Sequence, residues 1–466
     1  MGVLEVAKRF IKSSSLAERA ALNICERLPL SLWYRVFCGP TFFRRLSFLK
    51  ESEYWDKDTF CNYQFEQAKD LLVHAMNNVP YYRRLFSDIG FCPQKMQGLD
   101  DLRSLPLLSK ETIRDNPAEF VDERMALHSL KKKLTSGSTG IPLTIYESRE
   151  SYAAFHAFRA NLLDRVGYTL HSRAVMLWAF IEIGKRKNLP FMRYGNKLIL
   201  SIRYLTGEWL YKYYDMLRKF DPDYISGYPS SLTVFSSFIK SNRLSFGKKL
   251  KAVITYSETM YEWQRELIEE AFGARVFSMY SMNECAVLGG ECEHSTDIHT
   301  YPQYGLTEIV ESVGGHGEIV ATGFTNYTMP LIRYKTCDLV TKFKESCPKC
   351  GRSHKTFRAI EGRVQDFLVG KKGQIIPRLM PWIKTLPNVL QIQFLQEDPG
   401  KAYLKIVRGN AYTDRDTRYI KERLDEMLGL MRAQIEIEIV FADHIQSTAS
   451  GKVKMVDQKL DMKNYL

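Results

Sequence analysis

A chain of 466 residues is too long for one typical domain and calls for two or more. With 45% hydrophobic and 26% charged residues it has the balance of a globular protein with a large core, which excludes a disordered chain. Its net charge of +13 favours anionic partners, whether nucleotides, nucleic acid or a membrane surface, without choosing among them.

The N-terminal segment is basic, with Lys8, Arg9, Lys12, Arg19, Arg27, Arg35, Arg44, Arg45 and Lys50. Val3, Leu4, Val6, Ala7, Phe10 and Ile11 stand between its first charges at helical spacing. Such a helix either lies on a membrane or, as most amphipathic helices do, packs on the main body. No apolar run reaches the length of a membrane span. The opening MGVLEVAKRFIKSSS lacks the apolar stretch of a signal peptide, and the residues after Gly2 do not give the myristoylation pattern. Nine cysteines, an odd number with two in a CxxC, make no disulfide framework, so a reducing cytoplasm is the expected compartment.

Residues 1 to about 130 read as helical and irregular. In QFEQAKDLLVHAMNNVPYYRRLF the apolar Phe65, Ala68, Leu71, Leu72 and Ala75 predict a helix that stops before Pro80. In LPLLSKETIRDNP a helix start at Ser109 is followed by a stop at Pro117. From about 130 to 340 the runs RAVMLWAF, LKAVITY, ARVFSMY and GEIVATGF predict buried strands. GEWLYKYYDMLRKF and TMYEWQRELIEEAF between them predict helices, and the alternation predicts an α/β architecture. The charged, glycine-containing EGRVQDFLVGKKG at 361–373 is the expected junction. Beyond it, two or three strands (VLQIQFLQ, AYLKIVR, IEIEIVFA) and the helix YTDRDTRYIKERLDEMLG predict a small α+β domain.

Five segments carry chemistry. In Thr135-Ser136-Gly137-Ser138-Thr139-Gly140-Ile141-Pro142 the glycines permit tight turns, so backbone N–H groups and hydroxyls converge on an anion. Ile141 and Pro142 after Gly140 exclude a Walker A loop, and taken alone such a run is more often a plain loop. Tyr280-Ser281-Met282-Asn283-Glu284 follows a strand, where a carboxylate can hold a magnesium ion that carries ATP phosphates. Met329-Pro330-Leu331-Ile332-Arg333-Tyr334 leads to Asp338, and an acid after a strand can bind ribose hydroxyls. Gly362-Arg363-Val364-Gln365-Asp366 stands at the junction. Ser447-Thr448-Ala449-Ser450-Gly451-Lys452 ends on a lysine able to swing in and neutralise charge developing on phosphate. Singly, the second, third and fifth of these also read as an ordinary turn, a surface acid and a surface lysine. Separately, Cys347-Pro348-Lys349-Cys350-Gly351 is a zinc-type knuckle with two thiolates on one turn, a redox dithiol being its alternative.

In this order and spacing the five segments resemble the adenylate-forming superfamily of acyl-CoA synthetases and related ligases. The likeness is especially to the phenylacetate–coenzyme A ligase family and its CapK-like capsular-polysaccharide members. HAMNNVPYYRRLF, LPLLSKETIRDN, FDPDYISGYPSSL and MPLIRYKTCDL are typical of that branch, so the resemblance covers nearly the whole chain. It implies an α/β fold with a large N-terminal adenylate-forming domain of mixed sheets and helices and a small α+β C-terminal domain that rotates on a hinge. Residues 1–130 would be a helical part of the large domain, 131–361 its adenylating core and 362–466 the mobile small domain.

Residue by residue, the resemblance implies that Thr135, Ser136, Gly137, Ser138, Thr139 and Gly140 form the phosphate loop. Ser257 and Glu258 lie along the adenine and acyl sites, Tyr280 flanks the adenine with Ser281 and Asn283 beside it, and Glu284 binds magnesium. Asp338 binds the ribose with Arg363 close to the nucleotide, Asp366 is the hinge, and Lys452 serves adenylation. Cys292 and His299 match positions that, with a knuckle like Cys347 and Cys350, hold structural zinc in some members; His294 and Cys285 are rivals. Departures stand at Ser281 and Asn283 in place of glycine and threonine, at Tyr256 in place of a small residue, and at Cys337 in place of glycine.

The implied chemistry is ATP-dependent, AMP-forming activation of a carboxylic acid, with magnesium and Lys452 countering the repulsion of two anions. Three second steps compete. One is amide or ester formation on a sugar or uronic acid in surface-polysaccharide assembly, with an amine or hydroxyl acceptor. Another is transfer to coenzyme A by an aryl-acid ligase. The third is a catalytically silent scaffold, against which the joint retention of Glu284, Asp338, Arg363 and Lys452 speaks. The basic N-terminus and the basic, aromatic IGKRKNLPFMRYGNKLILSIR point to peripheral membrane contact or to the phosphates of coenzyme A, a solvated loop-helix being the plain alternative. Homodimers are common in the resembled family. No recognition helix or RNA-binding signature accompanies the charge, so nucleic acid is not an expected partner.

Overall fold

The computed structural model describes residues 34–35, 38–135, 143–178, 189–205, 207–247, 250–311, 317–363, 368–373, 375–376, 388–430, 434–446, 454 and 456–461. The basic N-terminal helix of the sequence reading lies outside them. The described residues fall into two compact units, His171–Phe277 with Gly362–Leu466, and Ser31–Leu170 with Ser278–Glu361. The architecture is mixed α/β. Among the described residues no helix is long and apolar enough to cross a membrane.

In the unit that contains Ser31–Leu170, the helix Lys57–Asn78 starts where Asp56 accepts the Thr59 N–H at 2.7 Å. It ends because Pro80 forces the preceding Val79 into extended backbone, and a second helix, Pro80–Asp88, opens on that proline. Ala68, Leu71, Leu72 and Ala75 are fully buried, as their spacing predicts, while Phe65 packs at the margin of the core. Ser109 caps the helix Lys110–Asp115 through the Thr112 N–H. An antiparallel hairpin pairs Lys131–Leu134 with Thr144–Glu147. A four-stranded sheet runs in the order Gly305–Glu311, Gly317–Gly323, Tyr334–Thr341, Ala359–Arg363.

The unit that contains His171–Phe277 carries parallel strands in the order Ala252–Tyr256, Tyr224–Gly227, Ala174–Trp178 and Lys197–Ser201. Phe191–Tyr194 closes that edge antiparallel. The helices Gly207–Phe220, Pro229–Ser241 and Glu262–Phe272 contribute Leu217, Phe235 and Ile268 to the core. Here the loop-helix alternative for 183–203 is corrected. Its described part is a hairpin, because KLILS buries Leu198 and Leu200 in the sheet and draws in Lys197, which donates to the Ser172 carbonyl at 2.6 Å.

In the C-terminal residues of the same unit the sheet order is Glu436–Ala442, Lys401–Arg408, Val389–Asp398, Val456–Gln458, with the helix Asp414–Leu430. The sheet has four strands, not two or three: Val456–Gln458 pairs parallel with Phe394–Gln396, and Val456 enters the core. Of the expected junction, residues 364–367 lie outside the described ones. Leu368 and Val369 are buried, and the Gln396 amide both accepts from the Val369 N–H and donates to its carbonyl at 2.7 Å.

Candidate active site and metal centre

The residues that flank the expected phosphate loop are clamped to one another. Thr135 N–H donates to the Leu143 carbonyl at 2.9 Å, and Leu143 N–H donates back to Thr135 Oγ1 at 3.0 Å. Ser136, Gly137, Ser138, Thr139 and Gly140 lie outside the described residues, as do Asp366 and Lys452. Arg363 ends the strand Ala359–Arg363.

Tyr280 and Asp338, far apart in the chain, meet in the core of their unit, where the Tyr280 hydroxyl donates to Asp338 Oδ2 at 2.7 Å. Asp338 stands inside the strand Tyr334–Thr341 and not after a strand, a correction to the sequence reading. The residue before it, Cys337, has φ +60°, the left-handed region that favours glycine, which accounts for glycine being usual there. Ser281 ends the strand Val276–Ser281 and pairs with Leu288. In the turn that follows, Asn283 Nδ2 donates to the Leu134 carbonyl at 3.4 Å and Glu284 Oε1 accepts from the Tyr334 hydroxyl at 3.5 Å. The hairpin at the loop neck, the Glu284 turn and the Tyr280–Asp338 pair are thus tied together within one unit.

The other unit carries a second constellation, at the carboxyl ends of three adjacent parallel strands, where open α/β sheets bind ligands. Trp178, Tyr228 and Tyr256 stand there with ring centroids 5.8 to 6.1 Å apart. Tyr256, the departure from a small residue, is one wall of this cluster. Ser257 follows with φ +69°, and Glu258 caps the helix Pro229–Ser241, accepting from the Ser230 N–H at 3.0 Å and the Ser230 hydroxyl at 3.1 Å. Burial, helped by Tyr256 and Glu258, holds the Tyr228 phenol far above its ordinary value, so it is an O–H donor at any physiological pH.

The Cys/His set converges. Ligand atoms of Cys292, His299, Cys347 and Cys350 all lie within 4.8 Å of one another, close to the tetrahedron edge of ~3.8 Å that ~2.3 Å zinc–sulfur bonds define. His299 Nδ1 is 2.8 Å from the Asp297 carbonyl and Nε2 is 3.4 Å from the Cys350 sulfur, so the ring turns its free nitrogen to the thiols. Gly351, at φ +73°, closes the knuckle turn. Of the rivals, His294 is exposed and donates its backbone N–H to Cys292 Sγ, while Cys285 lies with Lys133 and Glu147. Burial lowers His299 to about 4, which keeps the ring neutral, and raises the Cys292 thiol to about 11, so metal binding must displace its proton. Three soft thiolates and an imidazole fit a closed, structural zinc site.

Residues that the sequence reading did not single out surround this centre. Arg352, almost fully buried, donates to Glu53 and Glu293 at 2.6 to 2.8 Å. Arg165 donates to the Glu291 carbonyl at 3.0 Å and lies over the Tyr301 ring. Their partners are distant in sequence, so no local signal marks them.

A family model, the CapK C-terminal domain, matches residues 368–459. Protein CapK of Staphylococcus aureus is 25% identical over 410 residues, 84% of this chain and 88% of CapK. Phenylacetate–coenzyme A ligase of Pseudomonas putida is 23% identical over 426 residues, 86% of this chain and 93% of that enzyme. Among solved structures, 2-hydroxyisobutyryl-CoA ligase in its postadenylation state shares the fold, with a TM-score of 0.70, 17% identity and coverage of 89% of this chain and 93% of that one. These relations along most of the chain make it an adenylate-forming ligase. Within that class it is related to CapK and to the phenylacetate–coenzyme A ligases, and it carries the CapK C-terminal domain.

Proposed function

We propose that this ligase activates a carboxylic acid as its acyl-adenylate and transfers the acyl group to an amine or hydroxyl in surface or capsular polysaccharide assembly. The relation to CapK, along most of the chain and again in its C-terminal domain, carries this reading. In the first step a carboxylate oxygen bonds to the α-phosphorus of ATP, the bond to pyrophosphate breaks, and the mixed anhydride with AMP remains. In the second the acceptor attacks the acyl carbon and AMP leaves.

The residues take the following roles. Asp338 meets the ribose and is oriented by the Tyr280 hydroxyl. Tyr280, Ser281 and Asn283 line the nucleotide, and Arg363 stands close to it. Thr135 anchors the neck of a phosphate loop whose tip is Ser136 to Gly140. Glu284 would hold magnesium, whose charge offsets that of the phosphates. Ser257 and Glu258 border the acyl site beside the aromatic wall. Lys452 meets the charge that develops on phosphate, and the segment from Gly362 onward turns at Asp366 to exchange the adenylation step for transfer. Cys292, His299, Cys347 and Cys350 would hold zinc as a brace for their unit. We place the enzyme in the cytoplasm.

The aromatic wall of Trp178, Tyr228 and Tyr256 favours one other reading, an aryl-acid coenzyme A ligase. Pyrophosphate release with ATP and magnesium, across aryl, fatty, amino and uronic acids with and without coenzyme A, separates the two. Release with a uronic or amino acid, indifferent to coenzyme A, supports polysaccharide assembly. Release with an aryl acid, accelerated by coenzyme A, replaces it with the thioester ligase. Lys452→Ala should abolish pyrophosphate release while transfer from supplied acyl-adenylate survives, and loss of both would remove the role given to Lys452.

A further inference from the structure

We propose that the buried pair Lys133–Glu147 is a positioning device that fixes the turn carrying Glu284 against the hairpin of Lys131–Leu134 and Thr144–Glu147. The inference rests on Glu284 being the magnesium carboxylate.

Lys133 and Glu147 lie on the two strands that enter and leave the loop, and strand register places Lys133 opposite Ile145, so the two side chains meet diagonally. Lys133 Nζ is 2.8 Å from Glu147 Oε1, with the side chains 12% and 0% exposed. The pair closes the neck just below the two Thr135–Leu143 hydrogen bonds. It also reaches across to the Glu284 turn, for the thiol of Cys285, the next residue, lies 3.9 Å from Lys133 Nζ and 3.8 Å from Glu147 Oε1. Cys285 has φ +58°, and its N–H donates to the Met282 carbonyl, so the turn that presents Glu284 is held in a fixed and costly backbone shape. The Asn283 amide adds a second tie, to the Leu134 carbonyl.

Stability alone is a poor reason for this arrangement. A buried ion pair is commonly matched or bettered by apolar residues of similar volume, and Glu147 Oε2 is buried with no hydrogen-bond partner among the described residues. What the pair supplies is a rigid joint between two segments distant in sequence, one that is to cradle phosphate and one that is to hold its metal. Residues that orient metal ligands typically change metal affinity 10- to 100-fold, roughly, when they are lost.

The test is ATP binding by calorimetry, with and without magnesium, on the full chain. The double variant Lys133→Met with Glu147→Leu is expected to keep its unfolding transition and its magnesium-free ATP affinity. It should lose about tenfold of the tightening that magnesium brings. Glu147→Gln, equal in volume, should shift in the same direction, and it decides the matter if the double variant does not fold. Undiminished magnesium tightening in the folded variant overturns the inference. Glu284→Gln is measured beside them. If it weakens the magnesium effect and the pair variants do not, the joint alone is refuted. If Glu284→Gln itself changes nothing, the metal assignment falls and takes the joint with it.

Discussion

Replacing Arg352 by methionine removes a guanidinium that is 2% exposed and shared by two carboxylates. Glu53 belongs to the segment after the helix Gly39–Glu51, Glu293 to the residue after Cys292, and Arg352 to the residue after the knuckle, so one side chain ties three stretches of its unit. Breaking a buried pair by deleting one partner costs about 3–5 kcal/mol, because the remaining charge is left uncompensated. Glu53 and Glu293 keep 20% and 33% of their side chains exposed, so water recovers part of the loss. The expected destabilisation is therefore about 3 kcal/mol, or on the order of 10 °C in Tm for a unit of this size. Arg83→Met is the control. Its partner Glu123 lies at the same 2.6 Å, but both groups are about half exposed, so water and salt screen the pair and its loss should matter far less. Calorimetric unfolding, run on metal-replete and on chelated protein, separates loss of the clamp from loss of metal. A Tm change for Arg352→Met no larger than that for Arg83→Met, in both states, would refute the reasoning.

Three further outcomes are expected. Elemental analysis of metal-replete protein should find about one zinc per chain, lost in Cys347→Ala together with thermal stability; protein without metal would remove the site. Asp338→Asn should raise the KM for ATP about tenfold or more with kcat less affected, since a hydrogen bond to a charged group is worth about 1.5–3 kcal/mol; an unchanged KM would detach Asp338 from the nucleotide. Asp122 is buried, which alone would raise its pKa, but the Arg124 guanidinium and backbone N–H, with His74 nearby, bring it below the ordinary carboxylate value. A depressed folded-state pKa contributes stability that is present above the unfolded value of about 3.9 and is lost as pH falls through the folded one. Asp122→Asn should therefore cost stability at neutral pH by a margin that narrows below about pH 4, and a margin independent of pH would contradict this assignment.

What the sequence by itself determined is what neighbours along the chain determine. The stop before Pro80, the Ser109 cap, the buried strands and the helix Gly207–Phe220 follow from proline sterics, capping and periodicity, which act over a few residues. The relation to adenylate-forming ligases was also legible, because its motifs are short and ordered. The strand Val456–Gln458 was not, since a run of three residues becomes a strand only when Phe394–Gln396 offers it an edge. Tertiary structure set aside the rival His294, which is exposed, and put the ring of the buried His299 beside the thiols. It alone brought Tyr280 to Asp338, Lys133 and Glu147 to Cys285, and Arg352 to Glu53 and Glu293. Those pairings depend on charges and hydroxyls that must find partners once they are buried, and burial is a property of the folded chain.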